Sequence, residues 1–204
     1  MTAPEPAPSG TAVWLVGLSG SGKSTVGPLV ARRLRYAFID LDRLIELRAG
    51  ETISDIFGSE GESGFRAREG VATAELARRT GLVVATGGGW MSRADVTLGW
   101  RGCVRVWLRV APVTAATRLD GSGETRPLVH GPAALERLSA LLDARKSGYA
   151  RAEIAVDTDG RAPHDVAQAV VERLVRLSGT QAGSPGEGVR WPNERLEMEG
   201  FETQ

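Results

Sequence analysis

Hydrophobic positions along this chain follow two different periods. Five short runs are apolar almost throughout: VWLVG (13–17), AFIDL (37–41), LVVAT (82–86), CVRVWL (103–108) and EIAVD (153–157). Between them lie longer segments in which apolar residues return every three or four positions, over about 23–35, 42–49, 62–80, 112–119, 132–149 and 163–177. The first pattern predicts strands buried on both faces, and the second predicts amphipathic helices. Strands of that kind, alternating with helices, form a parallel sheet covered on both sides, so the fold class is α/β. Such sheets bind ligands beyond the carboxyl ends of their strands, and the residues after each run are where chemistry is expected.

The two ends of the chain break this alternation. Residues 1–10 (MTAPEPAPSG) are rich in Pro and Ala, and residues 179–204 are rich in Gly, Pro and charge without a sustained period. The expectation is one folded domain over 11–178, between a disordered N-terminus and a flexible C-terminal tail. A chain of 204 residues with 42% hydrophobic and 25% charged residues suits that reading. Basic and acidic residues number 25 each, a net charge of +0. That balance removes the electrostatic case for a nucleic-acid or anionic-membrane partner, and no basic stripe with interleaved aromatics is present. The single cysteine, Cys103, lies in an apolar run and reads as a buried, inert thiol in a reducing compartment. The opening residues have neither the basic nor the apolar segment of a secretory leader. No window reaches the roughly 18 apolar residues of a membrane span, so a soluble cytoplasmic protein is expected.

Candidate chemistry begins directly after the first apolar run. Gly17 to Ser24 (GLSGSGKS) fits the phosphate-binding pattern G-x-x-x-x-G-K-[ST], with a predicted strand before it and a helix after it. Gly17, Gly20 and Gly22 let the backbone curl so that N–H groups point at an anion, and the helix N-terminus adds its dipole. Lys23 is placed to reach the β- and γ-phosphates and Ser24 to ligate Mg²⁺. The pattern names a phosphoryl donor and leaves the acceptor open.

Five further segments bear on the acceptor and on the transfer to it. In FIDLDRLIE, a spacing of two puts Asp40 and Asp42 on one face of an extended strand end. One carboxylate there can serve the Mg²⁺ shell and the other a substrate hydroxyl; equally, Asp42 can simply N-cap the next helix. Arg66 and Glu69 stand three apart on a predicted helix, where an ordinary surface ion pair would look the same. Gly87, Gly88 and Gly89 end the third apolar run and permit close backbone approach to a ligand, more glycine than a tight turn requires. Residues 119–131 (LDGSGETRPLVHG) form a Gly-rich polar loop, in which Pro127 forces Arg126 out of the helical region. A mobile lid presenting Arg126 would stabilise charge on a moving phosphoryl group and exclude water. Arg145 and Tyr149 share one face of a helix, where a solvated arginine remains the alternative.

Taken in order, GLSGSGKSTVG, FIDLDRLIE, ISDIF…GE…FRAREG, ATGGG, TRPL and AR…YARAEIAVDT resemble shikimate kinase, from about Val13 to Leu177. The resemblance implies a three-layer P-loop kinase fold related to the nucleoside-monophosphate kinases. Its parallel sheet would have five strands in the order 2-3-1-4-5, with helices on both faces and a mobile lid. It also implies Mg²⁺-dependent transfer of the γ-phosphoryl group of ATP to the 3-hydroxyl of shikimate by a monomer. On that basis Gly20, Ser21, Gly22, Lys23, Ser24 and Thr25 hold the nucleotide phosphates, and Ser24 and Asp40 serve the metal. Lys23, Asp42 and Arg126 act in catalysis. Asp42, Arg66, Gly87, Gly88, Gly89 and Arg145 bind shikimate, with Glu69 holding Arg66 in place, while Arg118 and Arg161 flank the adenine.

Three features depart from the family pattern. Ser19 stands where Met is usual, Trp90 is a bulky residue expected at the pocket mouth, and the tail after 179 is longer than the fold needs. A gluconate kinase of the same fold is the nearest alternative, opposed by the Asp-x-Asp, Phe-Arg and triple-glycine set. A catalytically idle nucleotide-binding relative is opposed by intact Lys23, Asp42, Arg66, Arg126 and Arg145.

Overall fold

The five apolar runs pair side by side into one sheet, all in parallel, in the order β2-β3-β1-β4-β5. The strands are β1 (Ala12–Val16), β2 (Ala37–Asp40), β3 (Leu82–Ala85), β4 (Cys103–Arg109) and β5 (Ile154–Asp157). The helices are α1 (Lys23–Leu34), α2 (Leu41–Ala49), α3 (Ile53–Leu76), α4 (Pro112–Asp120), α5 (Ala134–Tyr149) and α6 (Pro163–Gln181). This computed structural model describes residues 11–92, 103–120 and 133–181, with side chains to 178. Arg126 and most of the expected lid, the first ten residues and nearly all of the expected tail lie outside the described residues.

Alternation along β1 shows how the layers form. Val13 and Leu15 point into a cluster with Val30 of α1 and Val170 of α6. Trp14 and Val16 point the other way, onto Leu41, Ile45, Ile56 and Phe65 from α2 and α3. Strand β1 is buried at every position because it is covered on both faces, which is why it reads as an unbroken apolar run. Helix α1 comes unusually close to β2: a methyl group on Gly27 would lie 2.2 Å from the Phe38 ring. Cys103 opens β4 half-buried, and burial pushes its thiol above the ordinary range, as an inert thiol requires.

The elements differ from the sequence pattern in three places. Helix α3 adds a segment from Ile53 ahead of the helix predicted from 62, because Thr52 and Asp55 form a reciprocal capping box and Ile56 is fully buried. It bends at Gly61, whose φ of 69° is not helical. It ends at Leu76 rather than 80, before a turn that reaches Gly81. Leu119 and Asp120, placed in the lid from the sequence, belong to the last turn of α4, with Leu119 buried. Helix α6 continues to Gln181, three residues into the expected tail.

Trp90 is not at a pocket mouth. It is fully buried, stacked on Trp14 with ring centroids 5.0 Å apart and planes 14° from parallel. Its indole N–H donates to Thr73 Oγ1 on α3 at 3.1 Å. The residue ties the loop after β3 to the sheet and to α3 at once. Trp90→Ala is therefore expected to cost about 3–5 kcal/mol. For a domain of this size that corresponds to a melting temperature lower by roughly 10 °C. Thermal denaturation followed by circular dichroism checks it, and Trp90→Phe, which keeps most of the stacking, should recover the larger part.

Candidate functional site

A cleft of about 360 Å³ opens at the carboxyl edge of the sheet, lined by every residue from Gly20 to Thr25. The loop reaches this shape through backbone conformations that suit glycine, with φ of 79° at Gly20 and 90° at Gly22. Gly22 is also the N-cap of α1 and offers no side chain to its first N–H groups, which leaves that helix end to an anion. Lys23 is buried at the root of the loop. Its Nζ donates to the carbonyls of Gly17 and Leu18, both at 2.9 Å, and to Ser21 Oγ at 3.4 Å.

Arg118 and Arg161 line the far side of the same cleft. Arg118 spans two loops, donating to Thr158 O at 2.8 Å, Thr158 Oγ1 at 3.1 Å and Gly20 O at 3.3 Å. Arg161 donates to the carbonyls of Asp157 and Asp165 at 3.3 and 2.9 Å. Thr86 and Thr158 also line the cleft. Both are threonines just past a strand end, a type and place with no distinctive sequence signal, and the sequence reading missed them.

Asp40 and Asp42 do not share the face of an extended strand end. Asp40 ends β2 and is itself the N-cap of α2: its Oδ1 accepts from the N–H groups of Asp42 and Arg43 at 3.1 and 3.4 Å. Asp42 is thus not the cap but a residue of the first helical turn. Asp40 Oδ2 accepts from Ser24 Oγ at 2.6 Å. The two carboxylate oxygens hold two separate elements, and the Ser24 hydroxyl is turned so that its lone pairs remain for a cation. Both aspartates line the phosphate cleft.

The acceptor candidates converge on the three glycines. A methyl on Gly87 would lie 3.0 Å from Glu69 Oε1 and 3.2 Å from Asp42 Oδ1. On Gly88 it would lie 3.2 Å from Ser19 Oγ and 3.4 Å from Arg145 Nη1, and on Gly89 2.5 Å from Arg66 Nη2. None of these glycines has a positive φ, so what they supply is clearance rather than backbone freedom. The side chains packed around the loop use that clearance, alongside the ligand approach expected from the sequence.

Arg66 and Glu69 are paired at 2.8 Å, and Glu69 is fully buried, unlike a surface ion pair. Burial alone would lower the Arg66 pKa, but Glu69, followed by Glu62, outweighs it and holds the guanidinium above its ordinary value. The Tyr149 hydroxyl donates to the Gly88 carbonyl, and its ring packs on Trp107 at 5.7 Å. Burial raises the Tyr149 phenol, with Arg145 pulling the other way, so the hydroxyl stays protonated and remains a donor. Through Tyr149, the helix that carries Arg145 is fixed to the glycine loop.

A sequence model of the Shikimate kinase family matches residues 19–175. A shikimate kinase from Symbiobacterium thermophilum is 46% identical over 164 residues, covering 78% of this chain and 94% of the relative. Among solved structures, the shikimate kinase from Acinetobacter baumannii in complex with shikimate superposes with a TM-score of 0.77. It is 33% identical and covers 86% of this chain and 97% of its own. A gluconokinase from Sinorhizobium meliloti is similar in fold alone, with a TM-score of 0.55 at 21% identity, over 84% of this chain and 95% of its own.

Proposed function

This chain belongs to the shikimate kinase family and is an ATP-dependent phosphotransferase; on that premise we propose how its own residues carry the γ-phosphoryl group of ATP to the 3-hydroxyl of shikimate. The observation that supports the division of labour is the place of Asp42. It lines the phosphate cleft and also reaches the edge of the glycine platform, so it stands where donor and acceptor meet.

On the donor side, the loop from Gly20 to Thr25, with Ser21 and Lys23 inside it, cradles the phosphates, and Arg118 and Arg161 flank the adenine. The donor set suits Mg²⁺: a hydroxyl, a carboxylate, and a cleft for phosphates and water. Ser24 would hold it directly and Asp40 through the Ser24 hydroxyl and the outer shell; when bound, it would neutralise charge on the phosphates. Arg126, outside the described residues, would close over the γ-phosphate from the lid.

On the acceptor side, Arg66 and Arg145 grip the shikimate carboxylate, the guanidinium fork of each matching two oxygens. Gly87, Gly88 and Gly89 form the floor beneath the ring hydroxyls. Asp42 accepts a hydrogen bond from the attacking hydroxyl and takes its proton as the bond to phosphorus forms. Because phosphoryl transfer passes through a loose transition state, alignment and charge neutralisation contribute more than proton removal. The domain over 11–178 would act as a cytoplasmic monomer. Among the described residues no helix is long and apolar enough to cross a membrane.

A coupled ADP-release assay with shikimate, gluconate and nucleoside monophosphates tests the assignment. Turnover with shikimate is expected, and turnover with gluconate alone would reverse it. Gly89→Ala gives a sharper test of the platform. The added methyl would force the Arg66 guanidinium aside by about 1 Å, a misplacement expected to lower kcat/KM for shikimate roughly 10- to 100-fold. The KM for ATP should stay within about twofold, since Gly89 is not part of the phosphate cleft.

A further inference from the structure

Arg66 carries carboxylates on two edges of its guanidinium. Nη1 donates to Glu69 Oε2 at 2.8 Å, while Nε and Nη2 both donate to Glu62 Oε1, at 3.3 and 3.1 Å. The two acids differ in kind. The Glu69 side chain is 0% exposed and fixed, whereas the Glu62 side chain is 65% exposed and follows the bend at Gly61. An i,i+4 Glu–Arg pair is common on any helix. This one differs because its arginine lies against the glycine platform, where a methyl on Gly89 would be 2.5 Å from Nη2.

The Nε–Nη2 edge can receive a carboxylate through two parallel hydrogen bonds. We propose that Glu62 is an internal competitor for the substrate: it occupies the edge of Arg66 that the shikimate carboxylate takes, and it must swing into solvent for the substrate to bind. Glu69 remains in place through the exchange and keeps the guanidinium aimed. The inference rests on the reading that Arg66 clamps the substrate carboxylate. Binding then exchanges one carboxylate for another at the same fork, so Arg66 contributes the difference between two ion pairs rather than the whole of one. Glu62 thereby sets how tightly an anionic acceptor is held without touching it in the bound state. The exchange is easy because an exposed pair is weak and its acid regains full hydration when it leaves.

Isothermal titration calorimetry with shikimate, without nucleotide, tests this on the full chain and on Glu62→Gln, Arg66→Lys and the double variant. Lysine keeps a cation for Glu69 but cannot form the fork. Glu62→Gln is expected to lower Kd about three- to fivefold, the worth of an exposed ion pair. In the Arg66→Lys background that gain should shrink below about twofold, since the fork being contested is gone. Arg66→Lys alone should raise Kd about tenfold. If Arg66→Lys weakens binding while Glu62→Gln leaves it unchanged or weaker, the competitor role is overturned and Glu62 is a support for Arg66. If Arg66→Lys leaves Kd unchanged, the carboxylate clamp itself fails, and the inference with it. Glu62→Ala, at this exposed position, repeats the measurement without an amide that could still pair with Arg66.

Discussion

Lys23→Met is expected to lower kcat about 10²- to 10³-fold, the loss that follows removal of one preorganised charge donor from a transition state. Methionine keeps the length and burial of the side chain, so the change isolates the ammonium group. That group has a second duty, holding the carbonyls of Gly17 and Leu18 at the root of the loop. Removing it takes that donor from both carbonyls, although Leu18 O still accepts from the Ser21 N–H at 3.1 Å, at a cost of about 1–3 kcal/mol. The two effects separate cleanly. Steady-state rates measured well below the melting temperature report the first, and a thermal melt reports the second. A variant that melts lower but turns over within about threefold of the parent would remove Lys23 from the chemistry.

Asp42→Asn is expected to lower kcat about 100-fold, near the lower end of what a positioned proton acceptor contributes. The lower end applies because the transition state is loose and the proton leaves late. Asparagine retains a carbonyl oxygen for the substrate hydroxyl, so the KM for shikimate should rise by only about three- to fivefold. Single-turnover rates over a range of shikimate concentrations separate the two quantities. A kcat within about threefold of the parent would make Asp42 a positioning residue alone. Asp42 does not cap α2, since Asp40 does, so the substitution leaves the helix start intact.

The sheet was legible because its information is local. Apolar runs that need both faces covered stand out against amphipathic helices, and five of them, separated by helical segments, leave few arrangements. The phosphate loop was legible for the same reason: its glycines, Lys23 and Ser24 are contiguous. The first part of α3 was hidden by Gly58 and Gly61, which weaken a helical reading although Thr52 caps the helix and Ile56 anchors it. Trp90 was misplaced because nothing local distinguishes a tryptophan at a pocket mouth from one stacked on Trp14. The ambiguities at Asp42, Arg66 and Arg145 had a common origin. Each depends on what lies across the fold, and the packing of all three around the loop after β3 has no local signal in the sequence.

That loop has a consequence for how the protein can vary. Each of its three glycines faces a different arm of the proposed acceptor site: Gly87 the two acids Asp42 and Glu69, Gly88 Ser19 and Arg145, Gly89 Arg66. A side chain introduced at one position presses on one arm and spares the others, so three neighbouring codons act as separate addresses. Drift in this segment cannot be averaged over a flexible loop, because every step away from glycine meets a charged or polar group already in contact. A floor made only of main chain also presents any ligand with the same amides and carbonyls whatever the surrounding sequence does. On the proposed reading, selectivity resides in the walls, where Glu62, Arg66 and Arg145 can change one at a time.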